Sequence, residues 1–260
     1  MHHHAHAGSG WTDLVPIFLI LLVALAYGLG IKKAKVKNRR WDLSKTLSFG
    51  IGLALLAIAF LPSIVHWAHQ DLRGHMVQHL LIGMFAPVFL VIGQPLTLAL
   101  KASSVQSARM LTAFLRHKIV YWVSHPITAL FLNIGVMYVL YLSPLYSMTL
   151  TNPTLHHLIH IHFFVAGFVF AWSIMGTDPV SQKPGFRLRL GVLFISMAAH
   201  AYLSKLMYAH LFPKDTHHSI IEIQEASKLM YYWGDLAELL LALGFFYYWY
   251  QKRKNIISIA

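Results

Sequence analysis

Histidine is the residue through which this chain can do chemistry. Eighteen histidines stand against nine aspartates plus glutamates, and there is no cysteine. The missing thiols exclude disulfides, thiolate metal sites and Cys-X-X-Cys redox chemistry together. Any metal must then be held by His, Met, Asp or Glu. His75 and His79 are four residues apart, and so are His156 and His160. On a helix, residues i and i+4 share one face about 6 Å apart along the axis, so such a pair can hold one ion between two imidazoles. His200 offers a fifth ring. Asp235 and Glu238, three apart, present two carboxylates on one face, with Lys205 and Met76 as further polar or soft neighbours. Imidazole suits zinc, copper, iron and nickel. The Irving–Williams order favours copper among divalent ions, and His with Met also holds its reduced form.

The elements that position these residues are transmembrane helices. Hydrophobic residues make up 57% of the 260, and charged residues only 12%, where a soluble domain carries roughly 25%. A spanning helix needs about 20 mostly apolar residues. Seven segments meet that requirement: Thr12–Ile31, Thr46–Val65, Val77–Leu100, Ile119–Leu142, Thr154–Met175, Leu188–Tyr208 and Leu229–Tyr250. Gly83, Pro87, Gly93 and Pro95 predict a kink in the third, and Pro126 interrupts the start of the fourth. The expected fold class is all-α and polytopic. A His-rich tail occupies 1–11, a seven-helix domain 12–250 and a basic tail 251–260.

Lysine and arginine orient the bundle. Lys32, Lys33, Lys35, Lys37, Arg39, Arg40 and Lys45 follow the first span. Lys101, Arg109, Arg116 and Lys118 follow the third; Lys183, Arg187 and Arg189 follow the fifth; Lys252, Arg253 and Lys254 follow the seventh. Only Arg73, Lys205, Lys214 and Lys228 fall toward the opposite face. The positive-inside rule places the N-terminus outside and the C-terminus in the cytoplasm. With that topology every histidine except His117 and His125 lies at the outer face or reaches inward from it. Ionisable groups within a span are costly and face the bundle interior or a wet cavity, so His200, Lys205, Asp235 and Glu238 are expected to point inward. Lys205 can form an ion pair with either carboxylate. The tail histidines His2, His3, His4 and His6 are read as a loose metal-capture segment. Each His pair taken alone fits an interfacial role equally well, and the methionines fit packing.

The run His75-Met76-Val77-Gln78-His79-Leu80-Leu81, with Ala86-Pro87 and Gly93-Gln94-Pro95-Leu96 after it, resembles the CtaG-type cytochrome c oxidase assembly factor family. The His-rich stretch His156-His157-Leu158-Ile159-His160 is similar to that family as well. The resemblance implies a multi-pass bacterial plasma-membrane protein that helps to mature a haem–copper oxidase of the caa type, with oxidase subunits as partners and copper as cargo. It carries over no catalytic residues.

Three function classes follow. The first is a non-enzymatic copper-binding assembly factor, with import of copper as its near neighbour. The second is a seven-helix zinc hydrolase in which Asp235 or Glu238 would act on metal-bound water near His75, His79 and His200. The third is a haem-binding bundle with paired axial histidines. Nucleic acid is not an expected partner: the formal charge of +12 belongs to loops beside a lipid bilayer.

Overall fold

The computed structural model describes residues 14–179 and 184–257, so the tail histidines His2, His3, His4 and His6 lie outside the described residues. All regular structure among the described residues is helical. Helix α1 runs Leu14–Val36, α2 Leu43–Ala59, α3 Pro62–Gln70, α4 Leu72–Ile92, α5 Pro95–Ala102, α6 Val105–Leu115, α7 Lys118–Val123, α8 Pro126–Leu142, α9 Leu145–Thr151, α10 Pro153–Met175, α11 Phe186–His210 and α12 Ile220–Ile257.

Among the described residues, five helices (α1, α4, α10, α11 and α12) are long and apolar enough to cross a bilayer. The pairs α2–α3 and α8–α9, bent by 55° and 77°, raise the number to seven if each pair counts as one span. Large apolar side chains face outward on α1, α2, α8, α10, α11 and α12, among them Phe18, Ile51, Phe131, Ile161, Phe194 and Leu243, whereas α4 is enclosed by the others. So broad an apolar exterior fits a lipid solvent.

Local chemistry sets the breaks. Leu61 and His125 precede Pro62 and Pro126, which open α3 and α8 at the position where a missing N–H costs nothing. The second predicted span therefore bends after Ala59. The third ends at Ile92 rather than Leu100, because Gln94 adopts a left-handed conformation, φ 50°, before Pro95 restarts the chain as α5. The kink expected within that span is absorbed as a π-helical turn over Leu81–Phe85, and no break of more than 40° falls within α4. Pro87 has no N–H to offer the carbonyl of Gly83, and a π turn re-spaces the backbone around such a loss. A second π turn, Phe131–Gly135, lies in α8. The last helix starts at Ile220, earlier than the expected Leu229, and continues through the basic segment to Ile257. Its 38 residues correspond to ~57 Å at 1.5 Å per residue, well beyond the ~30 Å hydrocarbon core.

Asp71 joins α3 to α4. Its carboxylate accepts the Arg73 N–H at 2.8 Å and caps α4. The Arg73 side chain binds the same carboxylate and reaches Glu225 of α12 at 2.8 Å, tying the two helices at one end. Hydrogen bonding from the Arg73 side chain holds the Asp71 carboxyl below its ordinary range. At the opposite end Lys37 donates to the Ala102 carbonyl at 2.9 Å and Arg39 to the Lys101 carbonyl at 3.1 Å, where cations satisfy the last carbonyls of α5. The histidine pairs and most of the basic residues thus occupy opposite ends of the bundle.

Candidate metal-binding site

Three helices bring the histidines together. α4 supplies His75 and His79, both almost wholly buried. α10 supplies His156 and His160, also buried, and α3 supplies the exposed His69. Asn152 caps α10 by accepting the Leu155 N–H at 3.2 Å, with Pro153 in its first turn. That start sets the face on which His156 and His160 stand. The motif glutamine Gln78 donates to the Ala59 carbonyl at 2.9 Å and fixes α4 against the end of α2.

The rings form a ladder. The imidazole centroids of His69 and His156 are 4.7 Å apart, and those of His156 and His160 4.3 Å. His75 stands 5.9 Å from His160 and 6.5 Å from His156. His79 is a turn further along α4, with its ring 4.4 Å from Phe163 and 6.3 Å from Tyr141. It lies within electrostatic reach of both His160 and His200. Tyr141 and Tyr146 stand edge-on to His75. The Tyr146 hydroxyl shares a hydrogen bond of 3.2 Å with His218, whose other ring nitrogen is 3.1 Å from Glu222.

Among the described residues, six imidazole nitrogens of this region are buried without a use in the protein itself. His75 Nε2, both nitrogens of His79, His160 Nε2 and both nitrogens of His200 are buried without a hydrogen-bond partner, as are the Tyr141 hydroxyl and Glu238 Oε2. Burying a polar atom unpaired costs roughly 1–3 kcal/mol, so this many in one region makes it the candidate site for a ligand. The donor set, neutral imidazole in a cysteine-free pocket, fits a copper or zinc ion. His162 differs: its Nε2 is 2.9 Å from the Leu132 carbonyl in the second π turn, and that bond occupies it.

Sequence reasoning did not select His69. Its Nδ1 sits 2.7 Å from the Val65 carbonyl. Donation there leaves Nε2 as the lone-pair nitrogen, the usual way a metal-ligating histidine is oriented. The i, i+4 rule could not find it, because its partner His156 lies on another helix.

His200 of α11 has closer ligand neighbours than the ladder. One ligand atom each from His200, Asp235 and Glu238 lie within 4.8 Å of one another, the single such trio among the described residues. The ion pair expected of Lys205 is not formed: its ammonium lies 5.4 Å above the Tyr231 ring, and no salt bridge of 4.0 Å or less includes it. Lysine's long stem lets the ammonium lie along an aromatic face. Met76 is fully buried in an apolar cluster with Leu72, Leu80, Met207 and Met230.

The fold and this arrangement define an all-helical protein with membrane-crossing helices and a histidine cluster at one end. The family model of the cytochrome c oxidase caa3 assembly factor (Caa3_CtaG) matches residues 25–252. The chain belongs to that family. It is also similar to the uncharacterized protein Mb0105 of Mycobacterium bovis, 30% identical over 189 residues, which cover 70% of this chain and 29% of that protein. The uncharacterized protein ML1998 of Mycobacterium leprae is 30% identical over 195 residues, 71% of this chain and 30% of its own. The chain thus spans under a third of the length of these relatives. No solved structure matches it.

Proposed function

We propose that this chain is a bacterial plasma-membrane assembly factor that binds copper through its histidine ladder and helps deliver it to a caa-type cytochrome c oxidase. The buried, unpartnered imidazole nitrogens of His75, His79 and His160 carry this reading. His156 and the exposed His69 open the ladder to one end of the bundle. Exchange of cargo needs ligands reachable from outside, and a series of rings a few ångströms apart lets an ion pass from one pair to the next. The seven-helix domain 12–250 would hold this site, and the tail histidines His2, His3, His4 and His6 would gather ions before they reach it. The role is one of binding and transfer rather than catalysis.

In this reading each bent pair is one span, which makes seven, with the histidine end outside. The Lys/Arg asymmetry supports that orientation. A reporter fused after Lys254 is expected to behave as cytoplasmic, and one inserted between Pro213 and Ser219 as external. The reverse pattern would place the ladder on the wrong side for delivery to an outer copper centre.

Metal analysis of detergent-purified protein tests the binding step. Copper should co-purify near one ion per ladder, bound through imidazole nitrogens. Protein that neither co-purifies with copper nor takes it up on titration would count against imidazole ligation. Acid acts on the frame through the Asp71 cap of α4: its lowered carboxyl stays ionised until the pH falls below the ordinary carboxylate range, and only there is its contribution lost.

A further inference from the structure

Two carboxylates and one imidazole meet deeper in the bundle than the ladder. His200 is ten residues from the end of α11 at His210, or ~15 Å along the helix axis. Glu238 is 3% exposed and His200 wholly buried. Gly234 permits the contact between their helices: a Cβ there would stand 2.0 Å from His200 Cε1. Ser196 donates to Glu238 Oε1 at 3.1 Å and holds the carboxylate in place, while Oε2 and both nitrogens of His200 have no partner. A cavity of about 20 Å³ borders Glu238 beside Gly83, Asn133 and Ala237, room for one water.

We propose that His200, Asp235 and Glu238 form a second cation site, separate from the ladder and selective for a divalent ion. Charge decides the class. Two ionised carboxylates with a 2+ ion make a neutral group, whereas either carboxylate alone within a span is costly. Lys205 does not neutralise them by direct pairing. A monovalent Cu⁺ would leave a net negative charge, and it prefers the softer imidazole ladder. Mixed nitrogen and oxygen donors suit Zn²⁺, Co²⁺ or Mn²⁺ instead. The proposal stands independently of copper delivery.

The test uses the full-length chain with His2, His3, His4 and His6 replaced by Ala, purified in detergent and titrated with Co²⁺ alone. Visible d–d absorption and the metal-induced rise in melting temperature report binding. One Co²⁺ per chain should bind. Glu238→Gln and Asp235→Asn, nearly isosteric, should each weaken it at least tenfold. Metal-free Glu238→Gln should melt no lower than the parent, since a buried unpaired carboxylate is gone. Gly234→Ala, whose methyl would stand 2.0 Å from His200 Cε1, should displace the His200 ring and weaken Co²⁺ as well. The double variant His75→Ala/His160→Ala should keep the Co²⁺ signal. Wild-type Co²⁺ affinity in both Glu238→Gln and Asp235→Asn would overturn the site. Loss of Co²⁺ in the His75/His160 variant with retention in Glu238→Gln would also overturn it, while leaving the copper ladder intact. Loss of Cu⁺ binding together with retained Co²⁺ binding in the His75/His160 variant would support two separate sites.

Discussion

Copper affinity should fall by at least ~100-fold when His79 or His160 is replaced by Ala, and the partner oxidase should then be short of copper. Loss of a residue that merely orients a metal ligand already costs 10–100-fold, so removing a ligand costs no less. The two rings sit on different helices, α4 and α10, and each has a buried Nε2 with no other partner. Truncation leaves a cavity in the core but also removes unpaired buried nitrogens. The two effects oppose each other, and protein abundance should change little. His162→Ala is the control: its Nε2 is occupied by the Leu132 carbonyl, so copper should be unaffected. The measurement is copper per chain in tail-substituted protein, with oxidase copper content and protein level followed in the same cells. If both variants are normally abundant, keep full copper and mature the oxidase normally, the ladder is not the site.

The second large effect concerns the frame that holds the two His pairs. A Cβ at Gly167 would stand 2.0 Å from the Gly83 carbonyl oxygen, 2.9 Å from its carbon and 3.2 Å from Pro87 Cγ. The obstacle is backbone, so no rotamer change relieves it. α4 and α10 must separate by an ångström or more, and overpacking of this kind costs typically 1–3 kcal/mol and occasionally more. Gly167→Ala is therefore expected to lower the melting temperature clearly and, by moving α10 away from α4, to weaken copper as well. Gly50→Ala should do neither, since nothing lies within 4 Å of its new methyl. Equal melting temperatures for the two variants would mean that the helices do not cross as closely as described. The close crossing also explains why the π turn sits where it does. Pro87 leaves the Gly83 carbonyl without its helical donor, and only a glycine opposite can approach that surface.

Much of the architecture was legible along the chain because a bilayer imposes a one-dimensional rule. Each span must satisfy its own backbone and must be apolar over its length, so α1, α4, α10, α11 and α12 were found by counting. The proline rule located the break at Pro126, whereas the expected spans Thr46–Val65 and Val77–Leu100 ran through the breaks at Pro62 and Pro95. The early start of α12 was missed. Ser219 caps it at Ile220 by accepting the Glu222 N–H at 3.2 Å, and Arg73 pairs with Glu225 to hold its polar first turns against α4. The left-handed residue Gln94, which ends α4, carries no compositional signal except the proline after it.

For the site, sequence by itself determined the chemistry and the pairs within one helix. The absence of cysteine, the four-residue spacing of His75 with His79 and of His156 with His160, and the three-residue spacing of Asp235 with Glu238 follow from helix periodicity alone. Which helices then face each other is not a property of any one segment. The fold brought His69 onto His156 from a bent helix, sent Lys205 to Tyr231, and left His200 beside the two carboxylates. Those placements depend on crossing points such as Gly83 with Gly167 and Gly234 with His200. There a missing side chain lets two helices approach, and the fit arises only once the helices are packed.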